Sequence, residues 1–365
     1  LLQWQDVTRY YSDAGLIPPE VAATSLRSVH LYSVLLWVGE PHAVWALYLL
    51  LLSACACAML GLFPRLATTV GAVLYISFLE RMPLTITGAE EAMRIVGFLL
   101  IFAPRLDAFS LSRAFRQKEH FDRTKRLLPE DPQPAWIHLL FYWQLALIYL
   151  TALWYKFLGN SWMYGYAIAR VVKNPYLAFY SETMWANLIV FHSFVLGWIL
   201  TLYEALWIGV LIPRRLLARL SPRLAAFPLK AWLLIGGAVF HGLMLLVMLD
   251  LGTFSIAMFM FYPACLTRED YAAIRRWWNR GAATVELYYN HDDPAQRRRA
   301  FCVLLLDHPR RVRPVHRARQ RALTVRQADG RTAQGTEAIA VLSRHLPALF
   351  PVRAFFSVTE PEALP

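Results

Sequence analysis

Residues 136–158 read Trp136-Ile137-His138-Leu139-Leu140-Phe141-Tyr142-Trp143-Gln144-Leu145-Ala146-Leu147-Ile148-Tyr149-Leu150-Thr151-Ala152-Leu153-Trp154-Tyr155-Lys156-Phe157-Leu158. No Asp, Glu, Lys or Arg interrupts the run before Lys156. The hydrocarbon core of a bilayer, about 30 Å thick, is crossed by a helix of about 20 mostly apolar residues. A helix that is apolar all round needs an apolar environment all round. The segment therefore predicts a membrane-spanning helix.

The rest of the chain repeats the pattern. Of 365 residues, 57% are hydrophobic and 17% charged, against about 45–50% and about 25% in soluble domains. The excess falls in blocks at 43–62, 66–80, 92–104, 136–158, 185–212, 231–250 and 252–267. The opening Leu1-Leu2-Gln3-Trp4 reads as the end of a further, truncated helix. Residues 1–270 are thus expected to form an all-α polytopic membrane bundle of seven to eight transmembrane helices. This composition excludes a disordered chain and a disulfide-stapled module. Cys55, Cys57, Cys265 and Cys302 make neither a disulfide framework nor a metal-ligand spacing.

Basic residues in short loops set the orientation. With residues 5–42 on one face, the opposite face receives Arg65 and the connections 105–135 and 213–230, which hold Arg105, Arg113, Arg116, Lys118, Arg123, Lys125, Arg126, Arg214, Arg215, Arg219, Arg223 and Lys230. On the first face the connections 81–91, 159–184 and 251–252 hold only Arg81, Arg170 and Lys173. The bias places the arginine-rich connections, and everything after residue 267, in the cytoplasm.

Past Arg268 the composition changes. A linker at 271–283 leads to an α/β module at 284–352 and a tail at 353–365. The module has a strand at Val285-Glu286-Leu287-Tyr288-Tyr289, a helix through Arg297–Leu306, and a strand near Arg311–Val315. A hairpin follows at Asp329-Gly330, a pair suited to positive φ, and then a helix from Thr336, an N-cap candidate, to Arg344. This order suggests a small thioredoxin-like domain. Its arginines, dense between Arg310 and Arg321, suit a face beside anionic headgroups of the bilayer, each worth about 1 kcal/mol there. No reading motif accompanies the net charge of +12, so no nucleic-acid partner is expected.

Two family resemblances attach to these residues. Tyr10-Tyr11-Ser12-Asp13-Ala14-Gly15-Leu16-Ile17-Pro18, the loop Glu80-Arg81-Met82-Pro83-Leu84-Thr85-Ile86-Thr87-Gly88 running on to Arg94, the series Gln144, Tyr149, Lys156, Gly159, Trp162, Gly165 and Ala167, and His241 with Gly252 and Phe254 together resemble the HTTM family. Those are bacterial membrane proteins similar to vitamin K-dependent gamma-carboxylase. The resemblance implies a bacterial inner-membrane location and a lysine base, at Lys156, on the external side. The carboxylase's histidine in the corresponding loop has no counterpart here. The tail resembles DCC thiol-disulfide oxidoreductase-like domains through Leu287-Tyr288-Tyr289 and Gly330…Gly335-Thr336-Glu337-Ala338…Leu346-Pro347. Where that family carries its two cysteines, this chain has Asp293 and Gln296 in Asn290-His291-Asp292-Asp293-Pro294-Ala295-Gln296. Thiol exchange needs a thiolate and a resolving partner, so the tail is a degenerate redox domain.

Ionisable residues at bilayer depth are costly and mark functional candidates. Lys156 ends its helix with Tyr149 seven residues earlier, on nearly the same side. From position alone, Lys156 is either a lysine snorkelling to headgroups or a shielded amine able to act as a general base. Glu204, inside the fifth span, must pair, stay protonated or line a wet cavity; Arg94, His241 or a backbone amide are the candidate partners. His192 and His241 stand alone on apolar helices, without the second histidine a metal site needs. Arg81 and Arg94 flank an external loop with Glu80, Glu90 and Glu91, an expected ion-pair lid. Trp162, Tyr164 and Tyr166 read as an interfacial aromatic belt.

Two functions remain open. In one, the bundle is an enzyme acting on a lipophilic, quinol-like small molecule, carboxylase-like or quinol-dependent, with Lys156 and Tyr149 catalytic and Trp162, Arg81, Arg94, Glu204 and His241 binding substrate. A quinol-like lipid is the only cofactor-like molecule implied, and no metal is. In the other, the bundle is a scaffold or transport-associated protein whose degenerate tail binds a cytoplasmic protein partner.

Overall fold

The computed structural model describes residues 6–28, 32–104, 106, 110–129, 134–178, 181–248, 252–280, 283–307 and 310–346. Its principal helices are α1 (Pro41–Leu60), α2 (Pro64–Arg81), α3 (Gly88–Ile101), α4 (Leu111–Thr124), α5 (Ala135–Leu158), α6 (Met184–Phe191), α7 (Ser193–Leu206), α8 (Leu229–Val247), α9 (Gly252–Cys265), α10 (Arg268–Trp278), α11 (Pro294–Leu306) and α12 (Gly335–His345). Two compact units divide the chain. One comprises Leu1–Leu106 and Gln133–Thr267, the other Asp107–Pro132 and Arg268–Pro365.

The first unit is helical, and it makes this a membrane protein by length and composition. Pro41–Leu60, Ala135–Leu158, Ser193–Leu211 and Leu229–Val247 are each long and apolar enough to cross a bilayer. The other expected spans are less complete. α3, with 14 residues, is only about 21 Å long at 1.5 Å per residue. α2 buries Glu80 and Arg81 at its C-terminal end, charges that lower its apolar character. α9 is apolar but short. The single helix expected over 185–212 breaks at His192, which closes α6 and opens α7. His192 is exposed and its Nδ1 turns back to the Leu188 carbonyl, 2.9 Å away.

Local chemistry sets the helix ends. Glu40 caps α1 through the Ala43 amide, with Pro41 as its first residue. Thr87 and Glu90 form a reciprocal capping box on α3, satisfying two amides that the first turn leaves unpaired. The core gathers Leu145, Ala146 and Tyr149 of α5, Leu233 and Leu234 of α8, Ala257, Met258, Phe261 and Tyr262 of α9, and Trp207. A second cluster packs Tyr11 against Phe78, with Val44, Tyr48 and Leu51 of α1 around them.

The second unit carries β1 (Val285–Tyr289), β2 (Val312–His316), β3 (Thr324–Arg326) and β4 (Thr332–Gln334) in a mixed sheet ordered β2-β1-β3-β4. β1 runs parallel to β2, with Leu287 opposite Pro314, and antiparallel to β3, with Leu287 opposite Val325. β3 and β4 form the expected hairpin, and Gly330 supplies its positive φ of 86°. The last helix starts one residue earlier than the sequence suggested, at Gly335, with Gln334 rather than Thr336 as its N-cap. α11 likewise starts at Pro294, three residues before Arg297, because Asp293 caps it.

α4 also belongs to this unit, although it lies in the connection 105–135, within the stretch 1–270 that the sequence assigns to the membrane domain. Its Phe121 is fully buried among Val285, Leu287, Phe301 and Leu304. The ring stacks on Tyr289 with centroids 6.0 Å apart and meets Phe301 at 5.7 Å. His291 Nε2 donates to the Asp122 carbonyl at 2.9 Å, and Arg297 pairs with the Asp122 carboxylate at 3.1 Å. Residues 1–4, Leu251, Pro347 and the tail 353–365, to which the sequence reading also gave roles, lie outside the described residues.

Candidate functional site

α5 and α7 run antiparallel. Tyr142 and Tyr149 of α5 meet Trp207, just past the end of α7, while Lys156, later in α5, meets Glu204, earlier in the chain than Trp207. Helical side chains lean toward their own N-terminus. In antiparallel neighbours, Lys156 and Glu204 therefore lean toward each other. Lys156 Nζ lies 2.5 Å from Glu204 Oε1, with side-chain exposures of only 13% and 9%. The Trp162 ring covers the ammonium, 4.3 Å from Nζ to the ring centroid. Glu204 Oε2 is buried and accepts no hydrogen bond from the described residues.

This arrangement replaces the partners considered from sequence. Glu204 pairs with Lys156, not with Arg94 or His241. Lys156 turns back along its helix toward a carboxylate instead of reaching outward. Trp162, read as a belt residue, is the lid over the amine.

A polar cluster lies beside the pair. The Tyr149 hydroxyl is 3.3 Å from His241 Nε2 and 3.0 Å from the Tyr262 hydroxyl, and His241 Nδ1 is 3.2 Å from Ser255 Oγ. Tyr149 is stacked on Trp207, centroids 4.8 Å apart and planes at 13°, with Tyr203 edge-on at 5.5 Å. Tyr203 donates to the Leu233 carbonyl at 2.7 Å. Gly237 of α8 makes room for this convergence, since a Cβ there would lie 2.5 Å from the Tyr262 hydroxyl and 2.8 Å from that of Tyr203. Tyr149 and Lys156 share a face of α5 as expected, but each hydrogen-bonds a different group; Tyr203, Glu204 and Trp207 form the link between them.

Arg81 and Arg94 serve other contacts. Arg81 is fully buried, and its Nη2 donates to the carbonyls of Ser12 and Ile17, 2.9 Å each. It therefore straps the Ser12–Ile17 loop onto the end of α2. Its Nε and Nη1 have no hydrogen-bond partner among the described residues. Arg94 bridges Glu80, at 2.5 Å, and Glu91. Glu90 is used in the capping box.

In the second unit, the positions read as lost cysteines are structural. Asp293 accepts from the amides of Ala295 and Gln296 at 2.8 and 3.3 Å. Gln296, buried, donates to Asp293, to Gln320 O at 3.1 Å and to Arg321 O at 3.3 Å, and its Oε1 accepts from the Asn290 amide at 3.1 Å. The Gln296 side-chain amide, with the two backbone amides, holds the Asp293 carboxyl below its ordinary pKa. The four cysteines are free thiols. Among the described residues, no group of three or more His, Cys, Asp or Glu side chains is placed to hold a metal ion.

The sequence reading missed Tyr203, Trp207, Ser255 and Tyr262. A signal existed for two of them: Trp207 follows Glu204 by three residues and Tyr203 by four, the spacings that make side chains neighbours on a helix. Tyr262 and Ser255 sit in an apolar helix where nothing local distinguishes them from packing. Compared with protein-family models, with characterised proteins and with solved structures, the chain finds no match, so its functional reading stands on the contacts of Lys156 and its neighbours.

Proposed function

We propose that this chain is an HTTM-type enzyme of the bacterial inner membrane that deprotonates a lipophilic, quinol-like substrate, with Lys156 as the base near the external interface. In this reading α2, α3 and α9 join the four longer helices as spans of a seven- to eight-helix bundle, and the second unit lies in the cytoplasm. One observation carries it: the amine of Lys156 is withdrawn from water, bonded to Glu204 and roofed by Trp162. A lysine placed only for headgroup contact has no use for such a shell.

The pair supplies the chemistry of a base. In water an ammonium and a carboxylate both stay charged. As a base Lys156 must act through its uncharged amine, and Glu204 Oε1, hydrogen-bonded to Nζ, is the acceptor to which the ammonium proton passes in that step. The amine then accepts a proton from the substrate hydroxyl, a step worth typically 10²–10⁴-fold in rate when the base is positioned. Tyr149 and His241 flank the site as hydrogen-bonding groups for a substrate oxygen, and Trp162 offers an aromatic face. Arg81 and Arg94 act at a distance, Arg81 by fixing the Ser12–Ile17 loop and Arg94 by tying α3 to Glu80 at the end of α2.

A second reading is favoured by the tail. Asp293 and Gln296 are committed to fold contacts, and the sheet grips α4 through Phe121. The element order strand, helix, strand, hairpin, helix supports a degenerate thioredoxin-like module of the DCC kind, retained as a docking scaffold. In this reading the bundle is non-catalytic and the module binds a cytoplasmic protein. Consumption of dissolved oxygen, the electron acceptor, with a reduced naphthoquinone or benzoquinone as donor and the purified protein in proteoliposomes, separates the two. Turnover that falls at least 100-fold in Lys156→Met supports the enzyme; an inactive parent, or a variant as active as the parent, supports the scaffold.

A further inference from the structure

α10 begins at Arg268, the residue after the first unit ends, and only Leu266 and Thr267 separate it from α9. Its sequence, Arg268-Glu269-Asp270-Tyr271-Ala272-Ala273-Ile274-Arg275-Arg276-Trp277-Trp278, is built for a helix. Glu269 and Asp270 lie in the first turn and Arg275 and Arg276 in the last, the arrangement that complements the helix dipole. Tyr271, Ile274 and Trp278 recur at spacings of three and four, which places them in one stripe with Trp277 at its edge. Arg268 and Arg275 fall on one shoulder of that stripe and Arg276 behind it.

This stripe is exposed. Ile274, Trp277 and Trp278 show 47%, 62% and 52% of their surface, and none of the helix's residues is buried. The helix is nevertheless held in place at its far end, where Arg311 donates to the Trp278 carbonyl at 2.8 Å and to the Asn279 side chain at 3.0 Å. A soluble surface seldom spends two tryptophans and an isoleucine on one helix face without covering them.

We propose that α10 is an interfacial helix, lying in the plane of a lipid leaflet with Ile274, Trp277 and Trp278 immersed and its arginines among anionic headgroups. Three observations select lipid as the occupant. Covalent continuity with an apolar helix two residues away keeps α10 near a bilayer surface. Paired tryptophans, apolar in body and polar at the indole nitrogen, suit the boundary between chains and headgroups. Arg268, Arg275, Arg276 and Arg280 match the negative potential of a cytoplasmic leaflet. Such helices bury their apolar face about 5–10 Å below the headgroup boundary. The inference requires that the first unit spans a bilayer and is independent of any role of Lys156.

Site-directed spin labelling tests it in the full chain. The protein, with Cys55, Cys57, Cys265 and Cys302 replaced by alanine, is placed in nanodiscs of phosphatidylethanolamine and phosphatidylglycerol. Single labels are introduced by Ile274→Cys, Trp278→Cys and Arg276→Cys, with Leu52→Cys on the exposed face of α1 as the bilayer reference. Expected are labels at 274 and 278 that favour collisions with oxygen over those with a water-soluble nickel chelate by at least threefold relative to the label at 276. Equal aqueous accessibility at all three positions, with the Leu52 position still in lipid, overturns the inference alone; an aqueous Leu52 position overturns the membrane reading itself. Exclusion of both reagents at 274 and 278 overturns the inference in favour of a protein cover. If Trp278→Cys fails to fold, the contrast between 274 and 276 decides.

Discussion

Lys156 and Glu204 are 48 positions apart in sequence, yet the amine and the carboxylate meet at 2.5 Å. The meeting follows from helix direction. α5 ascends and α7 descends beside it, and each side chain tilts back toward the start of its own helix. A parallel pair of helices would send the two in the same direction, with Lys156 left among headgroups.

Removing either partner strands a charge in apolar surroundings. Lys156→Met and Glu204→Gln are each expected to destabilise the protein, by up to about 3–5 kcal/mol for a buried pair, less here for the partial exposure of the amine. The double variant Lys156→Met/Glu204→Gln is expected to recover most of that loss, because both charges go together. Equilibrium unfolding of the four proteins in mixed micelles provides the cycle; losses that simply add would show that the pair carries no mutual energy.

Gly237 tests the polar cluster. Gly237→Ala places a methyl group against two hydroxyls and is expected to cost about 1–3 kcal/mol, the usual range for overpacking. Removing the nearer hydroxyl with Tyr262→Phe should lower the cost of the alanine substitution. The same unfolding assay reads this as non-additivity of the two changes.

Phe121 lies far in sequence from the sheet it completes. Phe121→Ala is expected to weaken the second unit by about 3–5 kcal/mol, as large-to-small aromatic changes in cores do. The effect should appear as faster hydrogen exchange at the β1 amides, with the amides of α5 unchanged. Equal exchange at β1 would show that α4 does not belong to that core.

Asp293 gives the second unit an acid dependence of known sign. Its carboxyl pKa is lowered in the folded state, first by the Gln296 side-chain amide and then by the amides of Ala295 and Gln296. A lowered folded-state pKa contributes stability that is present above the unfolded value of about 3.9 and lost as pH falls through the folded value. Exchange protection at the start of α11 should therefore fall below about pH 4. Asp293→Asn, which keeps a capping oxygen without a titrating group, should flatten that dependence.

How far the sequence alone reaches differs between the two units. Long apolar runs such as Ala135–Leu158 announce themselves, because a bilayer imposes length and hydropathy together. The break at His192 does not, since Phe191 and Ser193 on either side differ little from their helical neighbours in composition. β1 and the Asp329-Gly330 hairpin were legible from alternation and turn chemistry. The capture of α4 by the sheet was not: Phe121 is one aromatic residue in a charged helix, and only the tertiary fold shows that its ring replaces water with Tyr289 and Phe301. At the site, Lys156 and Glu204 stood out singly because charge in an apolar run is conspicuous. Their pairing required the antiparallel register of α5 and α7, which no local pattern encodes.

Solid-state NMR of the protein in bilayers, with 15N at lysine Nζ and 13C at glutamate Cδ, reads that pairing without an activity. A short-range correlation between Lys156 Nζ and Glu204 Cδ, lost in Lys156→Met, is the expected result. A Lys156 nitrogen that instead correlates with lipid 31P or bulk water, and shows no contact with Glu204, would contradict the shielded pair and the base built on it.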